Sequence, residues 1–304
     1  MLNTARYMTP QNASAALLMG GAMWGIYWVP IRWLGAQGLS ATWAGIVLFA
    51  ASLILLAPLC WRDRKTIALE WRRLLIGGAF TGAAFGLYTV SLFHTDVVRS
   101  ILLFYLTPIW GTLLGLIFLG ERLGLNRVIA LALGVLGLCV VLGDGLSLPW
   151  PKNLGDTLAL LSGITWAFGT LGLYKAGQTG VTSQIMAFLG GAFAVTFFAA
   201  LLMSDAIFTQ ADATWGIALL GSAPLLGLFT IPITWLTVWP TTYLTPARVG
   251  LLLMSEVVVG LISAALFSGE PFGWREMIGA FCIVAAALSE LSSTSTTPRP
   301  DARA

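Results

Sequence analysis

The sequence predicts an all-α polytopic membrane protein of ten transmembrane helices, arranged as two inverted five-helix repeats. Three observations carry this prediction. Hydrophobic residues make up 58% of the 304 and charged residues only 10%, whereas a water-soluble domain carries about a quarter charged residues. Uncharged runs lie almost end to end, and about 20 apolar residues cross the hydrocarbon as a helix. Two stretches half a chain apart also match at a fixed offset.

Span one lies near Ser14 to Trp33. Its basic flank is weak and "GGAMWGIYWVPIRW" has no small-residue cleavage site, so it reads as a retained helix and not as a signal peptide. The uncharged runs 33–61, 74–93 and 100–120 supply spans two to four, and the shorter run 128–143 supplies span five. Runs 157–174 and 176–204 follow as spans six and seven. The run 213–247 is too long for one helix, and "TVWPTTYLTP" breaks it at Pro240 and Pro246, where turn chemistry is natural. Two helices therefore share it, and the apolar run 277–289 closes the series.

Residues 1–150 thus form a first unit, 151–292 a second, and the Ser-, Thr- and Pro-rich residues 293–304 a disordered tail. The longest polar stretches, 61–73 and this tail, leave no room for a soluble catalytic domain. Cys60, Cys139 and Cys282 are odd in number and sit on or beside apolar runs, as small packing residues do. With His94 the sole histidine, no metal or haem site is expected, and no cofactor. A P-loop is absent, so nothing in the sequence points to ATP hydrolysis. A formal charge of +3 with no soluble groove gives no reason to expect nucleic acid as a partner. The basic loop "RDRKTIALEWRR" is instead suited to anionic lipid head groups.

Cytoplasmic loops carry an excess of Lys and Arg. With the amino terminus inside, 12 of the 16 basic residues fall on the cytoplasmic side of ten spans. Both termini are then cytoplasmic.

The duplication appears at an offset of 149. Arg99 meets Arg248, Gly111 meets Gly260, Gly115 meets Ala264, Phe118 meets Phe267, and the corner Gly120, Glu121, Gly124 meets Gly269, Glu270, Gly273. At an offset of 142, Gly21 meets Gly163 and Trp24 meets Trp166. A unit of five helices makes the second copy enter the membrane from the opposite side. Inverted repeats of this kind can alternately open a central site to each side. Gly111, Gly115, Gly260 and Ala264 form small-residue faces that let spans four and nine pack closely, and Pro108 bends span four.

"LTPIWGTLLGLIFLGERLG", its counterpart ending "LFSGEPFGWREMIGA", and the tryptophans of spans one and six resemble the drug/metabolite transporter superfamily of EamA type. The likeness covers nearly the whole chain. "TDVVRSILLFYLTPIW" further resembles the branch of aromatic amino acid exporters, which implies outward movement of aromatic or neutral amino acids across a bacterial inner membrane. In that branch aromatic side chains of spans three, four and six line a central cavity, which carries over to Tyr88, Tyr105 and Trp166. Trp24 joins them through the repeat. Around "MSEVV" in span nine the chain departs from the superfamily pattern, in which a proline is frequent.

Glu256 stands about ten residues into its span, and ionisable groups at such depth mark function by default. It is suited either to carry a proton or to accept a substrate ammonium; a structural carboxyl bonded to Ser or Thr hydroxyls is the alternative. His94, before span four, is the other candidate for proton coupling, since histidine is suited to sensing pH near neutrality. Asp96 and Arg99, three residues apart, form a plausible loop ion pair. Within transport, the alternative cargo is another small metabolite or drug. A membrane-embedded enzyme or ligand sensor would call for an H-x-x-x-H or paired-Asp arrangement, which the sequence lacks.

Overall fold

The computed structural model describes residues 9–142, 151–203, 215–267 and 273–292. These residues form thirteen helices and no strand. In chain order they are α1 (Pro10–Trp24), α2 (Trp28–Ala36), α3 (Ala41–Arg62), α4 (Arg64–His94), α5 (Val97–Phe104), α6 (Thr107–Leu119) and α7 (Leu125–Leu142). The second half contributes α8 (Leu154–Ala176), α9 (Val181–Met203), α10 (Trp215–Thr241), α11 (Pro246–Leu253), α12 (Ser255–Phe267) and α13 (Trp274–Ser292).

Thirteen helices make ten spans because three spans are broken: span one into α1 and α2, span four into α5 and α6, span nine into α11 and α12. Seven spans are long and apolar enough to cross a bilayer by themselves, counting each broken span as one. Leu125–Val140 and Met277–Ala286 are shorter apolar helices, and α10 is the tenth span. The predicted division within the 213–247 run is seen: α10 ends at Thr241 and α11 starts at Pro246. Arg6, Gly269, Glu270 and the tail 293–304 lie outside the described residues, so the matched corner is described only in its first copy.

Two of the breaks show how their freed backbone groups are satisfied. In span four Pro108 has no N–H to give the Phe104 carbonyl, and the Thr107 hydroxyl donates to that carbonyl instead, at 2.5 Å. Pro108 then opens α6, where a missing N–H costs nothing. The same span stops at Gly120, whose φ of 64° is left-handed and suits glycine. In span one the turn after Trp24 frees the Gly25 carbonyl, which accepts from the Ser263 hydroxyl of α12 at 2.9 Å.

The two broken central spans are superimposable in sequence and opposed in space. The segments α5 and α11 are each eight residues long and start 149 apart, while α6 and α12 are each thirteen long and start 148 apart. The first segment of each packs on the second segment of the other, α5 on α12 and α6 on α11. Spans four and nine are therefore antiparallel.

Their crossing is close. A Cβ added at Gly111 would lie 2.9 Å from the Pro246 carbonyl oxygen, and one at Gly250 would lie 3.0 Å from Pro108 Cα. Gly260 takes Ile101 of α5 against it, and Ala264 is fully buried. Gly115 differs from the reading above: its neighbour is the Glu121 carboxyl and not span nine. Glu121 folds back over α6 because its carboxylate accepts from Arg127 at 2.5 Å.

Polar ties join the halves at both ends of the bundle. At the end where α4 begins, Thr182 donates to Asp63 at 2.6 Å and the Gly180 N–H donates to both Glu70 oxygens at 2.9 Å. Hydrogen bonds from Arg62 and Thr182 hold the Asp63 carboxyl down at about 2. At the opposite end Asp156, fully buried, accepts from Arg99 at 2.6 Å, Thr95 at 2.7 Å and the Lys152 N–H at 2.8 Å. Arg99 thus reaches across to α8, beyond the Asp96 partner that its spacing suggested. Asn153 caps α8 by accepting from the Asp156 N–H.

Candidate functional site

Glu256 is the second residue of α12, immediately after the break in span nine, and is 1% exposed. A helix start presents unpaired N–H groups and a partial positive charge, which favours a carboxylate there. Opposite it, Tyr105 sits in the break of span four. The Tyr105 hydroxyl donates to Glu256 Oε2 at 2.5 Å, and the Tyr88 hydroxyl of α4 reaches Oε1 at 3.5 Å. The two helix breaks therefore meet through one carboxyl. The tyrosines stand where the sequence alternative had Ser or Thr hydroxyls.

Aromatic rings fill the surrounding volume. Phe85 is the hub: its centroid lies 4.2 Å from Trp24, 5.4 Å from Trp166, 5.2 Å from Phe188, 5.9 Å from Phe104 and 6.0 Å from Tyr88. Phe104 in turn touches Tyr88 at 5.3 Å, Tyr105 at 5.0 Å and Trp166 at 6.3 Å. All four aromatics singled out in the sequence, Trp24, Tyr88, Tyr105 and Trp166, thus belong to one buried cluster. Edge and tilted contacts dominate, as ring quadrupoles favour.

Polar tips in the cluster have unequal fates. The Trp24 indole N–H donates to Thr237 at 2.7 Å, and Tyr27 shares a hydrogen bond with Thr89 at 2.8 Å. Trp166 is fully buried and its indole N–H has no partner among the described residues. A buried donor normally finds an acceptor. The cluster thus contains both an unpaired N–H donor, on Trp166, and a carboxyl, on Glu256.

His94 is exposed at the end of α4, six residues beyond Tyr88 and so about 9 Å further along the axis. It is not part of the cluster, and the two proton-coupling candidates are thereby separated. Among the described residues no three His, Cys, Asp or Glu side chains gather to hold a metal, and the three cysteines are free.

Sequence reasoning missed Tyr27, Phe85, Phe104, Phe188 and Thr237. Phe85, Phe104 and Phe188 occur among 16 phenylalanines with no local mark to distinguish them. Spacing on α4 offered one usable signal: Thr81, Phe85 and Tyr88 are four and three residues apart and so share a face.

Comparison with known proteins agrees with this architecture. The chain is 23% identical over 267 residues to an uncharacterized transporter, YvbV, of Bacillus subtilis (strain 168), covering 86% of each chain. It is 29% identical over 153 residues to an uncharacterized transporter of Archaeoglobus fulgidus, covering 50% of this chain and 53% of that one. A solved crystal structure shares the fold with a TM-score of 0.67 at 14% identity, over 91% of this chain and 95% of the other. Residues 12–143 and 153–289 each match the EamA-like transporter family. With both halves of its length so matched, the chain belongs to the EamA-like transporter family.

Proposed function

We propose that the protein is a secondary transporter that exports aromatic and other neutral amino acids across the bacterial inner membrane by alternating access, with both termini cytoplasmic. The observation that carries this is Glu256 at the meeting of two broken helices, inside a cluster of aromatic rings. Broken helices at the midplane between inverted repeats are where such carriers hold their cargo. Residues 1–150 and 151–292 act as the two moving units.

Each part of an aromatic amino acid has a counterpart. The Glu256 carboxylate suits the ammonium group, and the unpaired Trp166 N–H suits a carboxylate oxygen. The rings around Phe85 supply apolar walls with few polar tips, as binding sites require. Tyr88 and Tyr105 then exchange their bond to Glu256 for contacts with cargo. Protonation of Glu256 between cargo cycles would couple export to a proton gradient, and Pro108, Gly111, Gly250 and Gly260 allow spans four and nine to shift at close range.

A second reading, a small amine or drug lacking a carboxylate, is favoured by one feature: among the described residues no ion pair engages Glu256. Counterflow of radiolabelled phenylalanine, tryptophan, threonine and a sugar nucleotide in proteoliposomes, with and without a pH gradient, separates the readings. Accumulation of the aromatic amino acids supports the first. Success of another solute while every amino acid fails overturns it.

A further inference from the structure

On the side of α8 turned away from the aromatic cluster runs a groove of about 750 Å³ lined by Arg73 and Ile76 of α4, Phe118 of α6, and Phe168, Leu171 and Lys175 of α8. We infer that this groove is a binding site for one anionic phospholipid of the leaflet on the Asp63 side, with its phosphate between Arg73 and Lys175 and an acyl chain along Phe118 and Phe168.

The groove's direction excludes it from the cargo path. Successive helical residues are about 100° apart, so Phe168, two positions after Trp166, points roughly opposite to that buried ring. Ile76, Phe118 and Phe168 are 60%, 52% and 43% exposed, which is a lipid-facing degree of exposure in a membrane helix. Beneath the groove α4 and α8 touch backbone to backbone: an added Cβ on Gly172 would lie 2.8 Å from Gly77 Cα. The floor is therefore closed.

Its chemistry is polarised along the membrane normal. Arg73, Ile76 and Phe80 follow one stripe of α4, and Phe168, Leu171 and Lys175 follow one stripe of α8, with spacings of three, four and seven residues. Both stripes carry a cation at the rim and apolar side chains about 10 Å deeper. An amphiphile with an anionic head and an apolar tail matches that gradient; a free anion uses only the rim.

Among the described residues neither Arg73 nor Lys175 has a carboxylate partner: the ion pairs are Arg62 with Asp63, Arg99 with Asp156 and Arg127 with Glu121. The Lys175 ammonium instead lies 5.1 Å from the Phe118 ring centroid. Two cations held over apolar surface without carboxylates are complementary to one phosphate diester.

Retention of lipid by the purified, delipidated full chain tests the inference. In mixed micelles containing equal amounts of dioleoyl phosphatidylglycerol and dioleoyl phosphatidylethanolamine, native mass spectrometry counts the lipid that stays bound. One phosphatidylglycerol should be retained in preference. Arg73→Gln with Lys175→Gln should weaken that retention roughly thirtyfold, from the usual contribution of a basic side chain near an anionic lipid surface. Arg62→Gln with Arg64→Gln, which removes the same charge from the same end outside the groove, should leave it unchanged. Phe118→Ala should weaken phosphatidylglycerol while sparing any binding of glycerol phosphate. Equal retention in both double variants, or glycerol phosphate competing as well as the whole lipid, overturns the site.

Discussion

Spans four and nine share a shape and differ in chemistry. Both break after eight residues, and at an offset of 149 Thr107 in one corresponds to Glu256 in the other. Thr107 spends its hydroxyl on the Phe104 carbonyl left open by Pro108. Glu256, in a span with no proline at its break, turns its carboxyl toward Tyr105 and Tyr88. A duplicated scaffold thus carries a backbone repair at one copy and, in the proposed function, a binding group at the other. Their flanks differ likewise: Arg99 is tied to the buried Asp156, whereas its counterpart Arg248 has a buried Nε without a hydrogen-bond partner among the described residues.

Exchanging the two chemistries should therefore have unequal effects. The largest is expected at the carboxyl: Glu256→Gln, checked for membrane insertion, should reduce counterflow in liposomes at least tenfold or uncouple it from pH, because the amide keeps the shape but cannot hold a charge or a proton. Thr107→Val should instead cost about 1–3 kcal/mol of stability, because it leaves the buried Phe104 carbonyl without its donor, and leave transport within severalfold. Unchanged flux in the first variant would remove Glu256 from the mechanism.

Next comes the arginine pair. Arg99→Gln leaves the Asp156 carboxylate buried with only neutral donors and should destabilise the protein by about 3 kcal/mol, read as a lower Tm in detergent. Arg248→Gln should change Tm far less. Equal losses would mean that the tie to Asp156 contributes nothing special.

Smaller effects are expected from packing. Gly111→Ala forces a methyl against the Pro246 carbonyl and should cost about 1–3 kcal/mol, with slower counterflow; Gly124→Ala meets nothing within 4 Å and should be silent. The smallest concerns Asp63. Its carboxyl is held at about 2, below the ordinary value of 3.8. The associated stability is fully present above pH 3.8 and is lost as pH falls through about 2. Thr182→Val should move the Asp63 titration, followed by carboxyl-labelled NMR, upward toward 3.8, and an unmoved titration would show that the hydroxyl does not act on it.

The spans were legible because the bilayer imposes length and polarity on any helix that crosses it, and the end of α10 was legible from Pro240 and Pro246. The break in span one was not. "WGIYW" carries no charge, Pro30 just after it is compatible with the first turn of a helix, and the freed Gly25 carbonyl accepts from the Ser263 hydroxyl, 238 residues away. Glu256 was visible as a charge in an apolar run, but its partners were not, since Tyr105 and Tyr88 approach it only through the antiparallel crossing. Gly115 was misassigned to that crossing because a small residue accommodates a returning side chain, here Glu121, as readily as a neighbouring helix.

Alternation between the two ends is the central claim, and counterflow before and after oxidation of two engineered cysteine pairs tests it most directly. In a background lacking Cys60, Cys139 and Cys282, one pair replaces Asp63 and Thr182 and the other replaces Thr95 and Asn153, which lie across the opposite ends of the bundle. Each disulfide should stop counterflow, and reduction should restore it, since both ends must part in turn. Full counterflow with both ends cross-linked would contradict the account.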